Sequence, residues 1–234
     1  MTVGADYKDY PRHFRAGTGK PYQEHTESFM VEVAEATKSL PRIFIDFVLP
    51  RLPALAAKLK PGANLLDVGC GGGWAVVQIA QRFPGVHCVG IDIEPYSIAA
   101  ARKLIIENRL TDFCDARMES VTRLDEPGAY DIVTSFLTVH EIAPRAKPAA
   151  FAAIAKALTP GGSFLIFDEA YPETDEDLRK MPQRFAALAQ WYELTWGNRV
   201  NTRTELVKLC EDAGLTVTEE TEFSRFHILV ATKS

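Results

Sequence analysis

Long apolar runs are missing from this chain: nothing in its 234 residues is long and apolar enough to span a bilayer as a helix. The N-terminus also lacks a charged segment followed by a short apolar one, the layout of a secretory signal. The expectation is a cytoplasmic protein with no membrane partner. Positive charge is in deficit, with 26 Lys and Arg against 31 Asp and Glu and a net charge of −5. Nucleic acid and anionic lipid therefore have no bulk attraction to exploit, and no nucleic-acid partner is expected. Cysteine is scarce: Cys70, Cys88, Cys114 and Cys210 form no C-x-x-C pair, and no histidine lies at ligand spacing from them. That predicts no metal and four reduced thiols, Cys88 and Cys210 on apolar faces and Cys70 a small residue in a tight loop. There is no phosphate-binding Walker loop, no G-x-S-x-G elbow and no internal repeat, which sets aside P-loop and α/β-hydrolase chemistry and solenoids.

The richest local pattern is Leu65–Trp74, LLDVGCGGGW. Two aliphatics lead to an acid, then to a glycine-dense turn, then to a helical pattern. Glycine lets a backbone turn sharply and lie close to a ligand, and a helix starting near Trp74 offers unpaired N–H groups at its first turn. The spacing is D-x-G-x-G-x-G, with Asp67, Gly69, Gly71 and Gly73. The dinucleotide fingerprint G-x-G-x-x-G fails at its third glycine, where Trp74 stands.

From Asn64 onward short apolar runs alternate with helical patterns, which implies a parallel sheet with helices on both faces. Strands are expected at Leu65–Val68, at Val86–Ile93, near Phe113, at Tyr130–Phe136 and within Leu158–Ala170 after a tight turn. Thr202 and Glu205 form a T-x-x-E helix start and Gly214 a helix stop. The runs Leu215–Thr218 and Phe226–Thr232 predict a terminal antiparallel hairpin. Two regions fall outside this alternation. Residues 1–60 combine an aromatic arm (Tyr7, Tyr10, Phe14, Tyr22, Phe29) with helical segments broken by Pro41, Pro50 and Pro53. Residues 171–200 insert a helix with Phe185, Leu188, Ala189, Tyr192 and Trp196 on one face and Trp191 nearby. The division expected is a 1–60 cap and a 61–234 catalytic domain, with the 171–200 insertion as a lid over the carboxyl ends of the strands, where open α/β sheets bind ligands. Buried apolar packing explains the same aromatics without a ligand.

Acids recur at strand ends. Asp67 ends the first strand. Asp92, in VHCVGIDIE, ends the second at the spacing from the glycine loop that a ribose ligand needs, and a carboxylate there can accept from two adjacent hydroxyls. Asp115 follows the third run, in FCDARM. His140, in YDIVTSFLTVHEI after the fourth strand, titrates near neutrality and is the candidate general base; a helix-capping or packing role competes with it. Its orienting partner is expected to be Asp168 or Glu169, with one of the two facing the site because neighbours on a strand alternate, or else Glu141. The N-terminal Arg12, His13, Arg15 and Lys20 form a basic cluster, read as solvated.

These residues together resemble the class I S-adenosylmethionine-dependent methyltransferases, from about Asn64 to Lys233. The resemblance implies a doubly wound, mostly parallel seven-stranded sheet with a C-terminal antiparallel hairpin and one reversed strand, here with an N-terminal helical cap. It implies S-adenosyl-L-methionine as cofactor: Asp67, Gly69 and Gly71 at its methionine end, Asp92 on the ribose, Ile93 and Ala116 beside the adenine, Asp115 on the adenine amino group, and Ser135 and Phe136 along the methionine and sulfonium region through backbone contacts. His140–Glu141 is similar to the histidine–acid pair of plant-type small-molecule O-methyltransferases, although no tryptophan follows it and that family's dimerisation domain has no counterpart in this length. SFLT in place of an N-P-P-Y-like stretch argues against methylation of a nucleobase amine. The leading expectation is O-methylation of a small molecule by in-line displacement, with His140, Glu141 and Asp168 as the catalytic group. C- or N-methylation by proximity, a non-catalytic cofactor-binding protein and a nicotinamide oxidoreductase are the alternatives. Oligomeric state is left open.

Overall fold

The computed structural model describes residues 3–21 and 24–234; Tyr22 and the side chains of Tyr7 and Tyr192 lie outside the described set. Four helices precede the first strand: α1 (Val3–Ala16), α2 (Glu27–Thr37), α3 (Leu40–Ile43) and α4 (Pro53–Ala56), with a π-helical stretch at Phe44–Val48 between the last two. The alternating part follows as β1 (Asn64–Val68), α5 (Trp74–Arg82), β2 (His87–Asp92), α6 (Pro95–Glu107), β3 (Cys114–Met118), β4 (Tyr130–Phe136), α7 (Lys147–Ala157) and β5 (Leu158–Glu169). Then come α8 (Asp175–Arg179), α9 (Met181–Trp196), α10 (Arg203–Asp212), β6 (Leu215–Phe223) and β7 (Phe226–Lys233).

The seven strands run in the order β3-β2-β1-β4-β5-β7-β6. β1 to β5 are mutually parallel, and β7 is antiparallel to both β5 and β6. The order reverses between β1 and β4, and a crevice opens at the carboxyl ends of the strands flanking that point. The strands are apolar on both sides because both are covered. Leu65, Leu165, Phe167, Ile228 and Val230 pack into a core shared with α5, α6 and the Phe44–Leu59 segment. Their neighbours Leu66, Phe164, Ile166, Leu229 and Ala231 pack into a second core with α7 and α10.

Local sequence explains several boundaries. Pro95 sits at the start of α6, with Glu94 capping it through the Ser97 N–H at 2.6 Å. Thr202 and Glu205 form the expected reciprocal cap on α10. The third strand departs from expectation. It begins at Cys114 rather than centring near Phe113, so Asp115 is its second residue, paired in register with Val89, and its carboxyl end is Met118, opposite Asp92. β5 is longer than expected. It runs from Leu158, its register with β4 jumping from Tyr130↔Leu158 to Ile132↔Ser163 as the Pro-Gly-Gly stretch bulges out.

Candidate active site

One large cleft, about 990 Å³, lies over the carboxyl ends of β1, β2, β4 and β5. The glycine loop forms one end. Gly69 has φ +68°, and a methyl group on it would fall 2.2 Å from Thr138 Cγ2, so only glycine lets the β1 turn pass beneath the segment after β4. Gly71 has φ +50° and open space where a side chain would be, which leaves its backbone free to face a ligand. Asp67 is buried on the cleft wall and accepts the Thr134 hydroxyl at 2.7 Å. Burial pushes its carboxyl up to about 7, against the pull of that bond and with the charge of Asp92 adding to the rise. A positively charged ligand group beside it would restore the carboxylate. Asp92 ends β2 and accepts from the Gly71 N–H and the Glu94 N–H, each at 2.9 Å. Burial raises its carboxyl, and these bonds hold it down. Ile93 follows, half-exposed on the wall.

Two of the expected cofactor contacts are elsewhere. Asp115 is exposed and its carboxylate accepts from the next backbone N–H, Ala116, at 2.8 Å; Ala116 is fully buried in the core. Neither lines the cleft, because β3 starts at Cys114 and rises four residues further before reaching it. Glu119 and Ser120 occupy the cleft rim there, with the Glu119 N–H bonded to the Asp92 carbonyl at 2.9 Å. Ser135 is also behind the wall, 1% exposed with its hydroxyl unpartnered, whereas Phe136 lines the cleft as expected.

The other end of the cleft holds His140. β4 stops at Phe136, and Leu137 takes a left-handed φ of +53°, rare for a branched side chain. The chain then turns so that Thr138 donates to the Gly69 and Phe136 carbonyls and Val139–Glu141 forms a single 3₁₀ turn. His140 lies buried on that turn. Its Nδ1 bonds Asp168 Oδ1 at 2.6 Å and its backbone N–H donates to Asp168 Oδ2 at 3.2 Å. Asp168 is 1% exposed and also accepts the Glu169 N–H. The imidazole is therefore gripped at ring and backbone by one carboxylate on the adjacent strand. Its Nε2 points towards Glu193 Oε1 on α9, 3.7 Å away. Burial alone would lower the imidazole's pKa, but the charge and hydrogen bond of Asp168, with Glu193 and Glu141 adding to them, raise it to about 10. Glu141 lines the cleft, its carboxyl lifted by burial to about 8.

Alternation on β5 allows at most one of Asp168 and Glu169 to face the site. Glu169, at the strand's last position, lines the cleft and forms an ion pair with Arg225 from the β6–β7 turn at 2.8 Å, whereas Asp168 is not on the cleft wall and acts through His140. The lid region supplies Phe185, Leu188, Ala189, Glu193 and Trp196 to the cleft, and α2 supplies Met30, Val33 and Ala34. Tyr10 packs on Trp191 at 4.8 Å between ring centres and Phe29 on Trp196 at 5.6 Å, tying α1 and α2 to α9. His13, His25, His87 and His227 do not line the cleft, and Arg12 and Arg15 are exposed. The four cysteines are free and buried.

Glu193 was hidden in the sequence inside a helix read for its aromatic face; its signal is an acid four residues after Ala189 and three before Trp196, on the apolar stripe. Lys147 was missed as well. It is 4% exposed at the start of α7 and donates to Asn201 Oδ1 at 2.6 Å, with burial lowering its ammonium to about 8 against the pull of the Asp168 charge.

A glycine turn, a buried acid at its root and an acid at the end of the next strand, all at a topological switch point, define a nucleotide-cofactor site of the Rossmann-like class. A family model described as a methyltransferase domain matches residues 40–220, and the chain belongs to that family. The indolepyruvate C-methyltransferase of Streptomyces griseus is 26% identical over 197 residues, covering 82% of this chain and 57% of its own. A ubiquinone biosynthesis O-methyltransferase of Xanthomonas campestris is 34% identical over 119 residues, 50% of this chain and 47% of its own. The chain thus spans about half the length of these curated relatives. A solved geranyl diphosphate C-methyltransferase from Streptomyces coelicolor, bound to S-adenosyl-L-homocysteine, shares the fold with a TM-score of 0.66 at 14% identity, over 90% of this chain and 85% of its own. The cofactor is S-adenosylmethionine. The cleft fits it, since the open face of Gly71, the bidentate carboxylate of Asp92 and the raised carboxyl of Asp67 suit a ribose and a cationic amino-acid tail. Among the described residues no helix is long and apolar enough to cross a membrane.

Proposed function

We propose that the protein is a small-molecule O-methyltransferase in which His140, held by Asp168, takes the acceptor's proton. The observation that carries this reading is the 2.6 Å bond from Asp168 Oδ1 to Nδ1 of His140, which lines the same cleft as the glycine loop. Asp67, Gly69, Gly71, Asp92 and Ile93 would hold the cofactor, with Phe136 beside its methionine end and Glu119 in the place expected for Asp115. The bound cofactor supplies a methyl group on a positively charged sulfur, a leaving group that needs no acid. What the chain must add is position and a place for one proton. An imidazole with a pKa of about 10 matches a phenol, also about 10 when free. Proton sharing between the two is then close to balanced. Either an acceptor O–H gives its proton to Nε2, or an oxyanion docks against imidazolium; the proton count is the same. Because free His140 is charged at neutral pH, productive binding of a phenol releases a proton to solvent, and kcat/KM rises with pH towards about 10. Residues 1–60 and 171–200 would act as cap and lid that keep water from this pair.

One second reading has support. The relative covering 82% of this chain methylates carbon. The same dyad suits removal of a proton from carbon beside a carbonyl, after which the carbon attacks the methyl group. The test is mass-spectrometric methyl transfer to phenols, catechols, 2-oxo acids and amines, with wild type and His140→Ala side by side. A phenolic product lost in the variant, with S-adenosylhomocysteine binding kept, supports the oxygen reading. A carbon-methylated oxo acid moves it to the second. A product unaffected by the substitution removes His140 from the chemistry.

A further inference from the structure

Among the described residues, Arg225 is the single lysine or arginine side chain on the cleft wall, and three carboxyl groups (Glu141, Glu169, Glu193) share the His140 end with it. Its setting is built. β6 and β7 are joined through Ser224 and Arg225, with Phe223 paired to Phe226. Ser224 adopts φ +56°, a left-handed conformation that is costly for a serine and persists where surroundings enforce it. The turn brings the guanidinium to Glu169, whose side chain is 7% exposed, with Nε 2.8 Å from Oε1. Its central carbon lies 5.2 Å from the centre of the Phe226 ring. Nε faces Glu169 as an ion pair. Nη1 and Nη2 have no acceptor among the described residues, and the side chain stays 43% exposed on the cleft wall. Glu169 follows Asp168, the partner of His140, so the fork stands next to the catalytic pair.

We propose that Arg225 receives a carboxylate of the methyl acceptor, so that the acceptor class is a small organic acid carrying its reactive atom at the His140 end. This rests on that end being the acceptor site. A terminal Nη1/Nη2 pair matches a carboxylate's two oxygens in bidentate geometry. Charge selects a monoanion. A phosphate ester with nearly two negative charges would meet one guanidinium among three carboxyl groups, whereas a single carboxylate meets one fork whose own partner, Glu169, is raised by burial to about 7 and gives up its charge readily. The apolar walls of Phe185, Leu188 and Trp196 suit the body of an aromatic acid.

The test is calorimetric binding to the full chain loaded with S-adenosylhomocysteine. The probes are phenol, catechol and indole scaffolds, each as an acetic acid, its methyl ester, the matching ethylamine and a phosphate monoester. The expected result is that on at least one scaffold the acid binds about tenfold or more tighter than the other three forms, and that Arg225→Gln abolishes the preference while leaving the S-adenosylhomocysteine Kd within about twofold. Arg225→Lys keeps the charge without the fork and retains part of the preference. If Arg225→Gln fails to fold, the E169Q/R225Q double variant removes both members of the ion pair together and takes its place. An ester, amine or phosphate that binds as well as the acid on every scaffold, the absence of acid binding, or an acid preference that survives in Arg225→Gln overturns the proposal. Acid-selective binding in which the bound acid is methylated on carbon and not on oxygen would overturn the O-methylation reading instead, leaving this one standing.

Discussion

Replacing Asp168 with asparagine isolates what holds His140 in place. The carboxylate accepts three bonds: the His140 ring at 2.6 Å, the His140 backbone N–H at 3.2 Å and the Glu169 N–H at 2.8 Å. An amide has one acceptor oxygen. If that oxygen serves the ring and Glu169, the new NH₂ group faces the His140 N–H, donor against donor. The imidazolium also loses its nearest counter-charge, and an opposite charge in contact moves a pKa by about 1–3 pH units. With Glu193 and Glu141 still present, His140 should drop from about 10 to about 7–9. In wild type, His140 binds its proton more tightly folded than unfolded, where its pKa is 6.5. The resulting stabilisation is complete below about 6.5 and lost as pH rises through about 10. Removing one member of a buried charged pair costs about 3–5 kcal/mol, so Asp168→Asn should lose that much stability at pH 7 and progressively less of it towards pH 10. Methyl transfer should fall about 10²–10⁴-fold. The assay is NMR titration of histidine-labelled protein between pH 5 and 11, with denaturant melts at pH 6, 7, 8 and 9. A His140 pKa that is the same in wild type and variant, or a stability loss that does not shrink with pH, refutes the coupling.

Three more outcomes are expected. Gly69→Ala forces a methyl group 2.2 Å from Thr138 at φ +68°, so S-adenosylhomocysteine affinity should fall at least about tenfold and stability by about 1–3 kcal/mol; calorimetry and melts that match wild type would mean the loop carries no such constraint. Asp115→Ala should leave S-adenosylhomocysteine affinity within about twofold, while Glu119→Ala weakens it about tenfold, and the reverse ranking would place the cofactor on the other residue. Asp67 and Glu141 carry carboxyls raised to about 7 and about 8, so each destabilises the fold as pH climbs above its unfolded carboxylate value and up through those points; cofactor-free protein should melt higher at pH 5.5 than at pH 8, and a melting temperature that rises over that interval would show other groups dominate.

The sequence was most readable where one physical signal acted alone. β1, β2 and β4 are apolar runs bounded by turn residues, and each was placed to within about two residues. The T-x-x-E cap needs its two residues at one spacing and was found by that spacing. His140 and Asp168 could be linked because parallel neighbours deliver their carboxyl ends to the same edge. β3 failed because CDARM is half polar, as an edge strand is allowed to be, so its start drifted and carried Asp115 and Ala116 to the wrong end. Alternation separates the side chains of Ser135 and Phe136, so only Phe136 reaches the cleft with its ring and the contact expected of Ser135 is one of backbone alone. Glu193 and Arg225 belong to elements far along the chain, and what brings them to the His140 end is tertiary docking of α9 and the last turn, which leaves no periodic trace; Lys147 lies only seven residues after His140, and its burial comes from packing against Asn201, which is equally invisible in the sequence.

β7 occupies the slot between β5 and β6, and it is made after both. Until it is inserted, β5 has an open edge along Ser163–Glu169, and the face it shows includes Asp168 and Glu169. A growing or clipped chain without Phe226–Lys233 would therefore carry Asp168 and Glu169 on a sticky, unpaired strand, the kind of edge that chaperones bind and aggregates extend. The reactive end of the cleft is thus sealed last, by a strand that closes the sheet as a final stave closes a barrel, so an incomplete chain is denied a finished active site.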